Sequence, residues 1–271
     1  MPGELEGRVA IVTGANQGIG AATAIELAAR GAGVLVCYLR LDVPDDEPGR
    51  PPVYREDRAR DGSSVVEAIR AAGGRAEGIE ADLLDPEAPA RLFDAAERSL
   101  GPVEILVNNA SGWRKDTFGP AEPDRFGRAT SSVSAATFDA QFGVDARGTA
   151  LLIAEFARRH VERGGSWGRI VSITSGGPSG FPGEVSYGAA KAALENYTMS
   201  AAWELGSYGV TANVLHPPVT NTGWVTPKVE AEAIATSPLG RIAQPEDVAH
   251  VICLLCSSKA AFITGNRIVM R

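Results

Sequence analysis

Seven short apolar runs punctuate the chain: RVAIVTG (8–14), GVLVCY (33–38), RAEGIEAD (75–82), VEILVNNA (103–110), GRIVSITS (168–175), VTANVLHP (210–217) and NRIVM (266–270). Continuous Val, Ile and Leu without polar alternation predicts strands covered on both faces. Between them lie alanine-rich helical patterns at 18–30, 61–72, 86–100, about 136–163, about 186–208 and 245–257. Strand and helix alternate. That predicts an α/β fold, a doubly wound parallel sheet of about seven strands with helices on both faces. Such sheets bind ligands beyond the carboxyl ends of their strands.

Three stretches break the short-loop pattern. Residues 40–62 carry four prolines and many charges, and predict a long surface loop because proline blocks both helix and central strand. Residues 111–132 and 217–240 are the other two, and all three follow strands, which puts them on the binding edge. With 41–60 as a surface insertion and 217–240 as a substrate lid, the 271 residues form one domain without repeats or internal boundary.

Composition narrows the function. Hydrophobic residues at 44% and charged residues at 22% describe an ordinary globular protein. A net charge of −7 without a basic stripe argues against nucleic acid or an anionic membrane as partner. No apolar run reaches spanning length, and MPGELEGRVAIVTG lacks a signal peptide's basic start and apolar middle, so a soluble cytoplasmic location is expected. Cys37 falls in a strand, and Cys253 and Cys256 form a CxxC flanked by Val, Ile and Leu. These predict buried structural thiols, with no metal site.

The chemistry concentrates at strand ends. In TGANQGIG, Gly14, Gly18 and Gly20 stand between strand one and a helix. Glycines there let a pyrophosphate approach the backbone, and the helix start supplies free N–H groups and partial positive charge. The alternative is a plain tight turn. In SYGAAKAAL (186–194), Tyr187 and Lys191 lie one helical turn apart on one face, among very small neighbours. Taken alone, that pair reads as a surface helix.

Together these segments resemble the short-chain dehydrogenase/reductase family and its 3-oxoacyl-(acyl carrier protein) reductase-like members. TGANQGIG (13–20), NNA (108–110), SITS (172–175), Tyr187-x-x-x-Lys191 and the tail 238–265 come in that family's order and near its spacings. The resemblance covers essentially the whole chain. It implies a single Rossmann domain that moves a hydride between a nicotinamide dinucleotide and a carbonyl or secondary alcohol, working as a homodimer or homotetramer. Tyr187 resembles the acid/base, Ser175 the serine that hydrogen-bonds the substrate oxygen, and Lys191 the lysine that holds the nicotinamide ribose. A fixed ammonium also favours phenolate, which predicts a lowered Tyr187 pKa.

The same resemblance assigns the cofactor site. Asn16, Gln17 and Ile19 would line the pyrophosphate turn, and Asp82 and Leu83 would flank adenine, although Asp82 could equally cap the next helix. Asn109 and Ala110 end strand four near the adenosine ribose, with Ser111 beside the nicotinamide. Pro217, Thr220 and Thr222 would pass along the carboxamide. Strand two ends in Tyr38, Leu39 and Arg40 with no acid. Arg40 could grip a 2′-phosphate, which favours NADP(H) over a still possible NAD(H). Asp42 weakens that preference slightly, and Arg50 and Arg55 could add to the site or simply decorate a loop.

Four positions depart from the family. Asp145 replaces the asparagine of a proton relay from the lysine and brings a negative charge toward Lys191. Ser111 and Pro218 each replace a usual glycine, and the sequence given ends at NRIVMR where the family commonly continues with Asp-Gly-Gly. Trp113, Phe118, Phe126 and Trp224, with Arg114 and Lys115, are expected to wall the substrate pocket. An acyl thioester, steroid, sugar or quinone ketone would each suit them. The alternative to an enzyme is a catalytically silent nucleotide-binding regulator. Such relatives usually lose the Tyr or the Lys, and both are present here.

Overall fold

A computed structural model describes residues 3–41, 51–176 and 180–271; Asp42 and Arg50 lie outside them. In chain order the elements are β1 (Val9–Thr13), α1 (Gly18–Ala29), β2 (Gly33–Tyr38), α2 (Pro52–Ala59), α3 (Ser63–Ala71), β3 (Arg75–Glu80), α4 (Ala88–Ser99) and β4 (Ile105–Asn108). Then come β5 (Asp116–Thr117), β6 (Ser131–Ser132), α5 (Ala135–Phe142), a π-helical turn (Gly143–Gly148), α6 (Thr149–Glu162), β7 (Gly168–Ile173) and α7 (Val185–Leu205). The chain ends with β8 (Val210–His216), α8 (Pro227–Thr236), α9 (Pro245–Cys256) and β9 (Arg267–Val269).

Seven strands form one parallel sheet in the order β3-β2-β1-β4-β7-β8-β9. The strand order reverses between β1 and β4, which opens a crevice above their carboxyl ends. β1 and β7 are buried along their whole length, as their unbroken apolar sequences require. One core layer joins α1 and α9 to the sheet through Leu27, Val12 and Ile252, and the other joins α4, α6 and α7 through Phe93, Phe156 and Leu205. β3, at the sheet edge, is mostly exposed or half-buried.

The structure corrects several expectations. The 40–62 stretch is not loop throughout, because α2 starts at Pro52. Proline is tolerated in a first turn, where its missing N–H has no helical partner. The 217–240 stretch holds α8 by the same device, with the Thr226 hydroxyl accepting from Val229 N–H. The long helix expected over 136–163 is interrupted at Gly143–Gly148, where α-helical bonding widens to a π turn. A Cβ on Gly143 would collide with Leu84, so the turn sits close on the segment after β3. The three cysteines are free and buried, and burial pushes the Cys37 and Cys256 thiols up to about 12. No helix among the described residues is long and apolar enough to cross a membrane.

Candidate active site

The glycine turn is built by hydrogen bonds across the crevice. Thr13 Oγ1 accepts from the N–H groups of Asn109 and Ala110, each at 3.0 Å. The Asn109 amide nitrogen donates back to the carbonyls of Thr13 (2.9 Å) and Gly14 (3.1 Å). Gly14 and Gly18 adopt φ of +64° and +53°, and a Cβ on Gly20 would collide with the Gly14 carbonyl oxygen. The result is a surface stripped of Cβ atoms at the start of α1, where the first N–H groups have no helical acceptor. Gln17 is the N-cap residue but makes no capping bond. Its Oε1 is buried without a hydrogen-bond partner among the described residues. Asn16 donates to the Arg60 carbonyl at 2.9 Å and ties the turn to the end of α2. Ile19 packs on the core.

At the neighbouring strand ends, Tyr38 rests on Gly62, and Leu83 is buried against Gly148. Asp82 accepts from Leu84 N–H at 2.8 Å, which commits one of its oxygens to the turn before α4. Arg40 lies just past the end of β2 as expected, but its partner is not evident from sequence. Glu80, paired with Tyr38 across the β2–β3 ladder, grips the Arg40 guanidinium at 2.7–3.1 Å and also accepts its backbone N–H. Strand two has no acid of its own; strand three supplies one.

Ser175, Tyr187, Lys191 and Asp145 converge where β7, α7 and the π turn meet. The Ser175 side chain acts on the Tyr187 phenol and pulls its pKa down. Lys191 is buried, its Nζ 5.7 Å from the Tyr187 ring centre. It donates to the Ile173 carbonyl at 2.9 Å and lies 2.9 Å from Asp145 Oδ1. The Asp145 carboxylate is fully buried and also accepts from Gln141 Nε2 (2.6 Å) and Gly112 N–H (2.9 Å). The small residues around Tyr187 have a local cause: Phe181 tilts over the Tyr187 ring and leaves 2.5 Å for any Cβ on Gly188.

The electrostatic balance reverses one expectation. Burial raises the Tyr187 pKa, Lys191 pulls it down, and Asp145 pushes it up again; the net shift is upward. Burial lowers the Lys191 pKa, but Asp145 and Tyr187 more than offset this, so the ammonium is reinforced. The Asp145 charge therefore competes with Tyr187 for Lys191.

The loops assemble a cup above this centre. Trp113 meets Tyr54 of α2 edge-on, with ring centres 5.7 Å apart, and Trp224 of the 217–240 segment at 6.2 Å. Arg128 lies 5.3–5.9 Å from the rings of Phe126, Trp113 and Trp224, and its guanidinium pairs with Asp124 and Glu184. Burial lifts the Glu184 carboxyl above the ordinary range, against the pull of Arg128 and of the Trp113 side chain. Arg114 is exposed and Lys115 buried. Phe118, expected to help wall the substrate pocket, is 83% exposed. Asp116, fully buried on β5, accepts from the Ser186 N–H and hydroxyl and so fixes the first turn of α7.

The loop after β8 follows an extended path. Thr220 is buried and bridges to Ala243, and its hydroxyl donates to the Pro218 carbonyl. Pro217 opens this loop, and Thr222 lies against Gly18, where a Cβ would come within 2.9 Å. Ser111 accepts from Trp113 N–H. Sequence reasoning missed Tyr54, Glu80, Asp116, Arg128, Gln141 and Glu184. Each is a polar or aromatic residue in a loop, strand or helix like dozens of others, and nothing in its local sequence sets it apart.

Residues 53–270 match the family model described as enoyl-(acyl carrier protein) reductase. The chain is 36% identical over 262 residues to cis-4-hydroxycyclohexanecarboxylate dehydrogenase of Sinomonas cyclohexanicum, covering 95% of this chain and 92% of that one. It is 31% identical over 287 residues to a hydroxynaphthalene reductase-like protein of Metarhizium robertsii, covering 99% and 95%. Among solved structures, the angucycline C-6 ketoreductase LanV with bound NADP superposes with a TM-score of 0.79 at 30% identity, covering 99% of this chain and 96% of that one. This chain belongs to the short-chain dehydrogenase/reductase family and is an oxidoreductase.

Proposed function

We propose that the chain is an NADP(H)-dependent reductase of carbonyl groups on ring-bearing molecules, with Tyr187 as the acid/base. One observation carries this reading: a buried Lys191 ammonium lies 5.7 Å from the Tyr187 ring centre, with Ser175 acting on the same phenol. The names of the relatives support a ring substrate, each referring to a cyclohexane, naphthalene or angucycline compound. The NADP in LanV supports the cofactor preference.

The turn at Gly14, Gly18 and Gly20, with Asn16, Gln17 and Ile19, fits a pyrophosphate because the glycines let the chain close tightly on Ala110, Thr222 and the Gly14 carbonyl, and the first N–H groups of α1 are left without helical acceptors. Tyr38 and Arg40 would face the 2′-phosphate, with Arg40 exchanging Glu80 for it. Asp82 and Leu83 would flank adenine. Asn109, Ala110 and Ser111 would line the ribose and nicotinamide, and Pro217, Thr220 and Thr222 the carboxamide. When bound, the dinucleotide supplies or accepts the hydride. The chain's own residues manage the proton. Ser175 and Tyr187 donate hydrogen bonds to the carbonyl oxygen, and Tyr187 transfers its proton as negative charge develops there. A raised pKa keeps the phenol protonated at neutral pH, which suits reduction. An ammonium has three donors. In Lys191 the Ile173 carbonyl takes one and the Asp145 carboxylate faces the ammonium at 2.9 Å as an ion pair, so donor capacity remains for the ribose.

The test is NADPH oxidation against a panel of cyclic ketones. Turnover by the wild type is expected; NADPH binding without turnover of any ketone would favour a silent regulator instead. The dimer or tetramer implied by the family is a further expectation. Trp203, 87% exposed on α7, is the residue at which to probe it by light scattering.

A further inference from the structure

Ser175 lies just beyond the end of β7, and the path of the chain there decides where its hydroxyl points. The sheet holds the chain as far as Thr174, whose N–H donates to the Leu215 carbonyl of β8 at 2.9 Å. Past that bond, side chains from other elements take over. The Thr174 hydroxyl donates to Glu195 Oε1 of α7 at 2.6 Å. The same oxygen accepts from Arg267 Nε of β9 at 3.1 Å. Arg267 Nη2 in turn donates to the Gly176 carbonyl at 3.4 Å. One ion pair thus holds the residue before Ser175 and the residue after it. Arg267 is itself fixed, because Nη2 also donates to His216 Nδ1 at 2.8 Å; a guanidinium has donors only, so the imidazole nitrogen accepts. The His216 backbone is anchored in the sheet, where its carbonyl accepts from Met270 N–H at 2.9 Å. The planar fork of an arginine suits this task, since it meets acceptors on three separate segments at once. The Glu195 and Arg267 side chains are only 25% and 30% exposed, which shields the pair from part of the screening that weakens surface pairs. Glu195 follows Lys191 by one helical turn and Tyr187 by two, so the same pair ties the serine segment to the helix that carries both.

We propose that Arg267 is a positioning residue for Ser175: through Glu195 and the Gly176 carbonyl it fixes the serine segment against α7, so that the Ser175 hydroxyl and the Tyr187 phenol meet one carbonyl oxygen. This rests on the carbonyl reductase reading above and adds the device that aligns its two hydroxyls. Arg267 acts on the reaction through Ser175 alone, and that sets how its loss must combine with the loss of the serine hydroxyl.

The test is a double-mutant cycle on single-turnover reduction of 2-tetralone by NADPH-loaded enzyme, with Arg267→Met and Ser175→Ala made singly and together. Arg267→Met should slow the step about tenfold, short of the roughly 10²-fold that a misplacement of about 1 Å can cost, while NADPH affinity by fluorescence titration stays within about twofold of wild type. Ser175→Ala removes a donor to the developing oxyanion and should slow the step about 10²–10³-fold. Adding Arg267→Met to it should cost less than about a further twofold. Arg267→Lys keeps a charge opposite Glu195 and should recover part of the rate. Glu195→Gln keeps an acceptor for Thr174 but not the charge for Arg267. It should follow the pattern of Arg267→Met in the same cycle, and it takes that variant's place if Arg267→Met does not fold. A wild-type rate in Arg267→Met overturns the proposal. So does an equal slowing with and without the Ser175 hydroxyl, the result of a merely structural role. No reduction of 2-tetralone by the wild type would overturn the carbonyl reductase reading and the role of Arg267 with it, a different result from equal slowing.

Discussion

The glycine turn and the aromatic cup are both part of one site, yet they are specified in opposite ways. The turn is local: eight consecutive residues, three of them glycines, set its path, and Asn109 and Ala110 just past β4 and the Arg60 carbonyl only tie it down. The cup is distributed. Tyr54, Trp113, Arg128, Glu184 and Trp224 come from four separate segments, and each is ordinary in its own sequence context. Backbone geometry writes itself into short motifs, whereas side-chain convergence does not.

The largest effect is expected beneath both regions. Lys191→Met strips the ammonium from a fully buried Asp145 carboxylate, and breaking one side of such a pair costs about 3–5 kcal/mol, to be read as a Tm fall of roughly 10 °C. The double variant Lys191→Met/Asp145→Asn should regain much of that stability without regaining turnover. Next is the turn. Gly20→Ala puts a methyl against the Gly14 carbonyl, and overpacking of this kind costs about 1–3 kcal/mol, so NADPH affinity by fluorescence titration should fall at least about tenfold. Trp224→Ala in the cup should instead raise KM for a cyclic ketone more than it weakens NADPH. Equal damage to cofactor and substrate from both variants would erase the contrast.

A smaller effect concerns pH. Alcohol oxidation needs the Tyr187 phenolate, so its rate climbs as pH rises through a raised pKa. Asp145 helps raise the pKa of both Tyr187 and Lys191. Asp145→Asn should therefore move the acid limb of kcat/KM for oxidation to lower pH. A limb that stays put or moves up would show that Asp145 does not oppose Lys191. The smallest is at the β2 end. Glu80→Gln should release Arg40 and lower KM for NADPH a few-fold, whereas Arg40→Ala should raise it and leave NADH nearly unaffected.

The sheet was legible because its seven strands are written as separate apolar runs, and the candidate positions Ser175, Tyr187 and Lys191 because they belong to spaced motifs. What the sequence hid depends on neighbours far along the chain. Proline at 52 reads as a helix breaker until it stands in a first turn. Glu80 reads as one more charge on an edge strand until the β2–β3 register sets it beside Arg40. The direction of the Tyr187 shift follows from burial and from Asp145, neither of which is visible in a Tyr-x-x-x-Lys spacing.

The most direct test of the proposed function is single-turnover reduction of 2-tetralone by enzyme preloaded with NADPH, comparing the wild type with Tyr187→Phe. Losing a proton donor of this kind should slow the chemical step by about 10²–10⁴-fold, with the bound NADPH still visible by its fluorescence. Reduction at the wild-type rate by Tyr187→Phe would contradict the account.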